Sequence, residues 1–401
     1  MAILKALINK ETLRMICETK RVEVSYIADK ISCKPTSKVD GWLNLTSETL
    51  PTFNQAKKIA SCLHIPFAGL YMKPEDVPKK QLPKIVNRRV LLNGYSQNES
   101  SLNIAISDLL ETRDLLISVK QELKEPISPF NVAIDTNTTD VAVASAIRKF
   151  FEISLDEQFK NSSARQFYLY VRQQIEAKGV FIQCFTDVDL ETARGLAIFD
   201  DVIPIIGINE KDRPPAKTFS IIHELVHLLN RQSSLCNEFV SAFSKNAEEI
   251  FCNAVAGELL VPRDALYAKL HSRNLSSNFT ISDIQNLAND FSVSKEVISR
   301  RLLDNGVINE VEYTAYNDEF RKLIETEKEE QRIARSEGRA PTIPKYPDRE
   351  AIDRTSSSLC RSLFKGYTED VFSKQDVSRY LGISQKYADK FLGEVSKWYV
   401  R

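Results

Sequence analysis

The sequence predicts a mainly helical α+β protein with a small β-sheet, a bundle of short helices at the N-terminus and a helical C-terminal extension. Apolar residues recur at helical spacing through most of the chain. One block, residues 180–209, is instead rich in β-branched and aromatic residues and is interrupted by glycine, aspartate and proline, a composition typical of short strands. A chain of 401 residues exceeds the size of one ordinary hydrophobic core, so we expect two or three domains.

Charge and cysteine content narrow the class of protein. The 54 basic and 54 acidic side chains cancel, so no global field favours nucleic acid or an anionic membrane, and DNA binding requires a local patch. The N-terminus reaches charged residues too early for a signal peptide, and no apolar run approaches the length of a membrane span. The 7 cysteines are scattered and form no CxxC pair, which favours reduced thiols. We therefore expect a cytoplasmic protein with no membrane partner.

Residues 1–75 are predicted to form a bundle of short helices. The stretch "VEVSYIADKIS" carries apolar residues on one helical face, and Pro35 stands near the start of a second helix. A third helix follows "LPTFNQ" and ends before Pro66. The cluster has the scale of a helix-turn-helix bundle. Prolines among basic residues then predict a linker over residues 76–100.

A central region, residues 101–310, begins with long helices and contains the predicted strands. Leucine and isoleucine form a stripe through "SLNIAISDLLETRDLLISVKQEL", and a later helix closes at Gly179. The stretches "VFIQCF" and "LAIFDDVIPIIGIN" follow as the predicted strands. Helical patterning then continues to the end of the region, which we interpret as one domain.

The remaining residues divide into a charged segment and a small helical region. Residues 311–348 begin with a segment rich in both acidic and basic residues and end with a proline-rich segment. This pattern favours a solvent-exposed helix followed by a linker, rather than a binding site. Residues 349–401 include "SKQDVSRYLGISQKYADKFL", whose pattern predicts two short helices around Gly382.

The stretch "FSIIHELVHLLN" carries the strongest chemical signal in the sequence. On a helix, His223 and His227 lie on one face a turn apart and can offer imidazole nitrogens to one metal ion. Glu224 points to the side, where it can deprotonate a water molecule. A third protein ligand must come from a downstream carboxylate or from His271, the only later histidine.

The competing interpretation of this stretch is a buried helix without a metal. Its other positions are apolar nearly all round, as expected of a core helix. Burying two histidines and a glutamate there without partners costs several kcal/mol, whereas a metal ion satisfies all three. The pattern therefore favours the metal site.

A longer pattern around this helix resembles the ImmA/IrrE family of zinc metallopeptidases. That family combines a proline-containing strand ending in asparagine, a Phe-x-x-x-His-Glu-x-x-His helix and a downstream helix of the form Glu-x-x-Ala-Asn-x-Phe-Ala-x-x-Leu-Leu-x-Pro. The matching residues are Pro204, Asn209 and Phe219 in the first two parts and Glu249, Asn253, Ala256, Leu259, Leu260 and Pro262 in the third. The sequence departs from the family at Cys252, Val255 and Val226, which stand where the family usually has alanine, phenylalanine and glycine.

The resemblance implies a zincin-like domain that hydrolyses peptide bonds with one Zn²⁺ per chain. The ligands are then His223, His227 and Glu249, with Glu248 as the neighbouring alternative, and Glu224 is the general base. In the family, the substrate is often a repressor encoded nearby, so we expect a protein partner and limited proteolysis. The strand that precedes the site is a candidate for pairing with an extended substrate. Its residues are Ile205, Ile206, Gly207, Ile208 and Asn209.

The N-terminal bundle leaves a second class of function open. It is similar to the helix-turn-helix, XRE-like unit that is often fused to these peptidases. Lys34 and Lys38 lie on its candidate recognition helix, although a DNA-reading helix normally carries a denser set of polar and basic residues. The sequence supports docking of this bundle on the peptidase region or on a partner at least as well as it supports DNA binding. The alternative function is therefore a non-catalytic DNA-binding regulator, or a toxin–antitoxin-like component, with a structural zinc site.

Overall fold

The computed structural model confirms a mainly helical α+β fold with one small sheet. The structure describes residues 4–77, 82, 96–127, 129–132, 134–161, 163–236, 247–337 and 346–399. Most of the predicted linker at 76–100 lies outside these residues, and the first long helix begins at residue 96. None of the described helices is long and apolar enough to span a membrane.

The N-terminal residues form the predicted bundle of short helices. Its helices are α1 (Lys10–Thr19), α2 (Val24–Lys30), α3 (Ser37–Leu43) and α4 (Phe53–Cys62). Asn9 caps α1, and Thr52 begins α4 with a reciprocal capping box to Gln55, so both helix starts are encoded locally. A separate hydrophobic cluster holds the bundle together around Leu13 and Trp42. Whether the bundle functions as a helix-turn-helix unit stays a prediction.

The central region follows as helices and then a four-stranded sheet. The helices that precede the sheet are α5 (Ser96–Glu122), α6 (Asp140–Phe150), α7 (Leu155–Lys160) and α8 (Ala164–Glu176). The strands are β1 (Phe181–Phe185), β2 (Gly195–Ile198), β3 (Ile205–Asn209) and β4 (Ser234–Cys236). Their order is β1-β3-β2-β4, with β1 parallel to β3 and the other two pairs antiparallel. The sequence predicted β1 to β3 but not β4.

Both faces of the sheet are buried, because alternate residues of each strand face two different cores. Ile182, Ile206 and Ile208 join one hydrophobic cluster, whereas Phe181 and Ile205 join another. The first cluster lies under the helices that carry the candidate site and continues into the helices that follow. Those helices are α9 (Pro214–Leu229), α10 (Ala247–Leu260), α11 (Arg263–Ser272), α12 (Ile281–Phe291) and α13 (Lys295–Asp304).

A long helix, α14 (Glu310–Ser336), leads away from this core. Its first half packs on α13 through Tyr313 and Phe320. From residue 321 onward nearly every side chain is exposed, and i,i+3 ion pairs such as Arg332–Glu329 lie along its surface. The prediction of a solvated charged helix is confirmed.

The C-terminal residues pack on the second face of the sheet. They form α15 (Pro347–Arg354), α16 (Ser357–Thr368), α17 (Lys374–Leu381) and α18 (Gln385–Ser396). The two short helices predicted around Gly382 are α17 and α18. Their hydrophobic cluster also contains residues of α5 and of the sheet, so the C-terminal helices share a core with the central region. The domain boundaries predicted at 310 and 348 remain predictions.

Candidate metal centre

Helix α9 brings the two histidines of "FSIIHELVHLLN" together inside the protein. Pro214 stands at its first turn, where a missing N–H is tolerated, and the helix runs for 16 residues without interruption. His223 and His227 are 1% and 0% exposed, because the helix is covered on most sides by apolar neighbours. Their Nε2 atoms lie 3.2 Å apart and therefore point at the same place.

Helix α10 packs against α9 and supplies a carboxylate to the same point. The two oxygens of Glu249 lie 3.1 Å from His223 Nε2 and 3.4 Å from His227 Nε2. One donor atom from each of the three side chains falls within 4.8 Å of the other two. Two imidazoles and one carboxylate are the ligand set of a catalytic zinc site that keeps one position open.

The second nitrogen of each imidazole is engaged by the protein. His223 Nδ1 hydrogen-bonds Asn253 Oδ1 at 2.9 Å. His227 Nδ1 lies 3.4 Å from Glu248 Oε1 and 3.8 Å from Cys252 Sγ. The acceptor on the Nδ1 side of His223 favours the tautomer that leaves its Nε2 without a proton, which is how proteins orient metal-binding histidines. These donors therefore fit a metal ion.

Glu224 lies beside the centre and is fully buried. Its Oε2 accepts a hydrogen bond from Ser234 Oγ at 2.7 Å, whereas its Oε1 has no partner among the described residues. Gly195 makes room for this carboxylate, since a Cβ at that position would lie 3.0 Å from Oε1. An uncompensated buried oxygen is the feature expected where a water or substrate proton is received.

The pKa values reflect the same environment. Burial raises the pKa of Glu224, and the nearby histidines and the Ser234 hydroxyl only partly offset this. Burial alone would lower the pKa of His227, but the contacts with Cys252 and Glu249 raise it to about 10. Burial opposes ionisation of Glu249, yet hydrogen bonds from the two histidines hold the pKa of that carboxyl well below its usual range. The ionised form of Glu249 that these contacts favour is the form in which a carboxylate binds a metal ion.

The other residues that the sequence suggested for a functional site lie away from the metal centre or do not face it. His271 is exposed on α11 and belongs to no candidate metal group among the described residues. Glu248 faces the Nδ1 side of His227 and not the point shared by the Nε2 atoms. Lys34 and Lys38 are exposed at the start of α3, far along the chain from this site. Ser234 carried no recognisable signal, because its strand spans only 3 residues.

The prediction that strand Ile205–Asn209 pairs with a substrate is wrong in this structure. This strand is β3, which pairs with β1 along one edge and with β2 along the other, so its backbone has no free edge. The side chain of Asn209 has a structural task, donating to the carbonyls of Val188 and Ala193. Among the described strands, β4 and β1 are the edges of the sheet.

Comparison with known proteins identifies the region around this centre. Residues 176–303 match the family model described as the IrrE N-terminal-like domain, Peptidase_M78. Comparison with curated proteins and with solved structures returned no match. The matched region contains the three candidate ligands and Glu224, and it supports a zincin-like, metallopeptidase-type domain. Residues 176–303 are therefore similar to the IrrE N-terminal-like, Peptidase_M78 domain.

Proposed function

We propose that the protein is a zinc-dependent endopeptidase in which His223, His227 and Glu249 hold the ion. The observation that carries this proposal is the convergence of one donor atom from each of these side chains within 4.8 Å on two packed helices. The orientation of His223 by the acceptor on its Nδ1 side gives further support. A bound zinc ion with three protein ligands supplies a Lewis acid that polarises a carbonyl and lowers the pKa of water to about 7.

Glu224 is the proposed general base. Its raised pKa suits a group that takes a proton from the attacking water and passes it to the leaving amine. The Ser234 hydroxyl holds Oε2, so that Oε1, which has no other partner among the described residues, faces the reacting groups. Gly195 leaves room for this side chain, because an added Cβ would lie 3.0 Å from Oε1 and 3.1 Å from Cγ of Glu224.

We propose that the substrate binds as an extended segment beside β4 rather than beside β3. Strand β4 is paired on one side with β2, and among the described residues its other edge is free. Its first residue, Ser234, contacts Glu224 directly, so a strand added there lies next to the proposed base.

The proposed substrate is one regulatory protein, encoded near this gene, that is cut at a limited number of bonds. The near-complete burial of both histidines supports limited proteolysis, because only a segment that fits the site can reach it. The family resemblance supports a repressor-like partner in stress or mobile-element control.

The test compares the wild-type protein with Glu224→Gln, using the protein encoded by the neighbouring gene as substrate. We expect both proteins to bind one zinc ion, and we expect cleavage only by the wild type, since the amide cannot accept the proton. Glu325→Gln, a matched change on the exposed face of α14, should cut like the wild type. Cleavage by Glu224→Gln contradicts the role of this residue. Zinc binding without cleavage by the wild type supports the non-catalytic regulator instead.

A further inference from the structure

The C-terminal helices α17 and α18 form a helix-turn-helix. Helix α17 is 8 residues long and begins with a capping box between Ser373 and Asp376. It ends at Gly382, which has φ 64° and so takes the left-handed conformation that glycine adopts without strain. Helix α18 follows after Ile383 and Ser384, and apolar side chains of both helices are buried in one core. A short turn of this kind between two packed helices is the framework of many DNA-binding proteins.

One face of α18 remains open to solvent. Its inner face is buried, through Ala388, Phe391 and Val395. The opposite face is exposed at every position of a helical stripe and carries four polar side chains. This outer stripe consists of Gln385, Lys386, Asp389, Lys390 and Gly393.

The charges of the unit leave two lysines on this stripe without acidic partners. Asp389 pairs with Lys374 at 2.6 Å, Asp376 pairs with Arg379 on α17, and Glu394 pairs with Lys397 just after α18. Lys386 and Lys390 make no ion pair with a described residue, and both lie near the ring of Tyr387. The outward face of α18 therefore presents net positive charge, although the chain as a whole is neutral.

A polar cleft of about 690 Å³ adjoins the start of this stripe. It runs from the first turn of α17 across the turn to the first residue of α18, and its lining includes Ser373, Gln375, Arg379 and Gln385. Asp376 also lines the cleft, and its carboxylate accepts the Ser373 hydroxyl, so the available donors are the Gln375 amide and the Arg379 guanidinium. Amide and guanidinium donors on the first helix are groups that bind phosphate oxygens when the second helix enters a major groove.

We propose that the α17–α18 unit binds double-stranded DNA, with α18 in the major groove. Gln385 and Lys386, in the first turn of α18, face the base edges, while Lys390 and Arg379 face phosphates. This activity goes beyond peptide-bond hydrolysis and does not depend on it. It also differs from DNA binding through Lys34 and Lys38, which lie in another part of the fold.

The test measures binding of the full chain to a fluorescein-labelled duplex of mixed sequence, about 30 base pairs long, over a range of salt concentrations. The double variant Lys386→Gln/Lys390→Gln should bind about tenfold more weakly or worse at low salt. Its plot of log affinity against log salt should be flatter by about 0.9, since Lys390 is the one of the two lysines that faces a phosphate. The matched control is Lys322→Gln/Lys328→Gln on the exposed part of α14, which should bind like the wild type.

Three results overturn the proposal. The first is no binding of the duplex by the wild type even at low salt, which would leave α18 as a surface for a protein. The second is an equal loss in the α14 control, which would mean unspecific attraction. The third is unchanged binding by the α18 variant together with loss in Lys34→Gln/Lys38→Gln, which would assign DNA binding to the N-terminal bundle.

Discussion

Asn253 decides which nitrogen His223 offers to the metal centre. Its amide oxygen hydrogen-bonds Nδ1 at 2.9 Å, and α10 carries it one turn after Glu249. One helix thus supplies a ligand and also the group that orients another ligand. The motif resemblance included Asn253, but only the packing of α10 on α9 reveals this contact.

We expect Asn253→Ala to weaken zinc binding by about 10- to 100-fold, because His223 loses the partner that fixes its tautomer and ring orientation. Competition with a zinc chelator measures this affinity. Asn289→Ala, which removes an amide on the surface of α12, is the matched control and should bind zinc like the wild type. Equal affinities for wild type and Asn253→Ala would show that Asn253 does not orient the ligand.

At the scale of elements, local patterns predicted most helices and three of the four strands. The stretch around Gly382 predicted both α17 and α18, because capping residues and apolar spacing are local signals. Strand β4 was missed, since three residues are too few to show alternation. The position of β3 inside the sheet depends on long-range pairing, and this is why the substrate strand was misassigned.

One contact between elements joins the C-terminal helices to the central domain. Glu176, at the end of α8, accepts hydrogen bonds from the backbone N–H of Ser357 and from the hydroxyl groups of Ser356 and Ser357, at the start of α16. Arg172, one turn earlier, donates to the carbonyls of Ile352 and Asp353 on α15. The side chains of Glu176 and Arg172 are both buried. The Glu176 carboxylate lies at the N-terminus of α16, where a negative charge is favourable.

We expect Glu176→Gln to lower the free energy of unfolding by about 3 kcal/mol, since it leaves the Arg172 guanidinium buried without its carboxylate. The amide nitrogen would also face N–H and hydroxyl donors that need an acceptor. Urea denaturation measures the change, with the exposed Glu325→Gln as the control. A free energy of unfolding equal to that of the wild type would mean that α16 docks without this contact.

At the scale of the whole molecule, three hydrophobic clusters organise the described residues, and one of them crosses the predicted boundaries. It combines α5, one face of the sheet and the C-terminal helices, although α5 ends at Glu122 and the C-terminal helices begin at Pro347. Periodicity identifies buried faces but not the partners that cover them, so the sequence could not reveal this shared core. The proposed DNA-binding unit is therefore attached to the metallopeptidase-type domain through a common core.

The N-terminal bundle meets α5 through Ile104, which belongs to the hydrophobic cluster of the bundle, and through charged groups. Lys20 is buried and pairs with Glu111 of α5 at 3.0 Å. His64 follows α4, and its Nδ1 lies 2.5 Å from Asp108 of α5 while its Nε2 lies 3.7 Å from Asp187. The hydrogen bond to Asp108 raises the pKa of His64, although burial and Lys20 act in the opposite direction.

This contact predicts a pH dependence of stability. Because the folded-state pKa of His64 is raised, its stabilising effect is complete below the unfolded-state pKa of about 6.5 and is lost as pH rises through the folded-state value. The wild type should exceed His64→Gln in free energy of unfolding at about pH 6, and the difference should shrink by about pH 9. Urea denaturation at both pH values measures it. The exposed His271→Gln is the control and should show no such trend. A difference that stays constant with pH would mean that His64 acts through packing rather than through its charge.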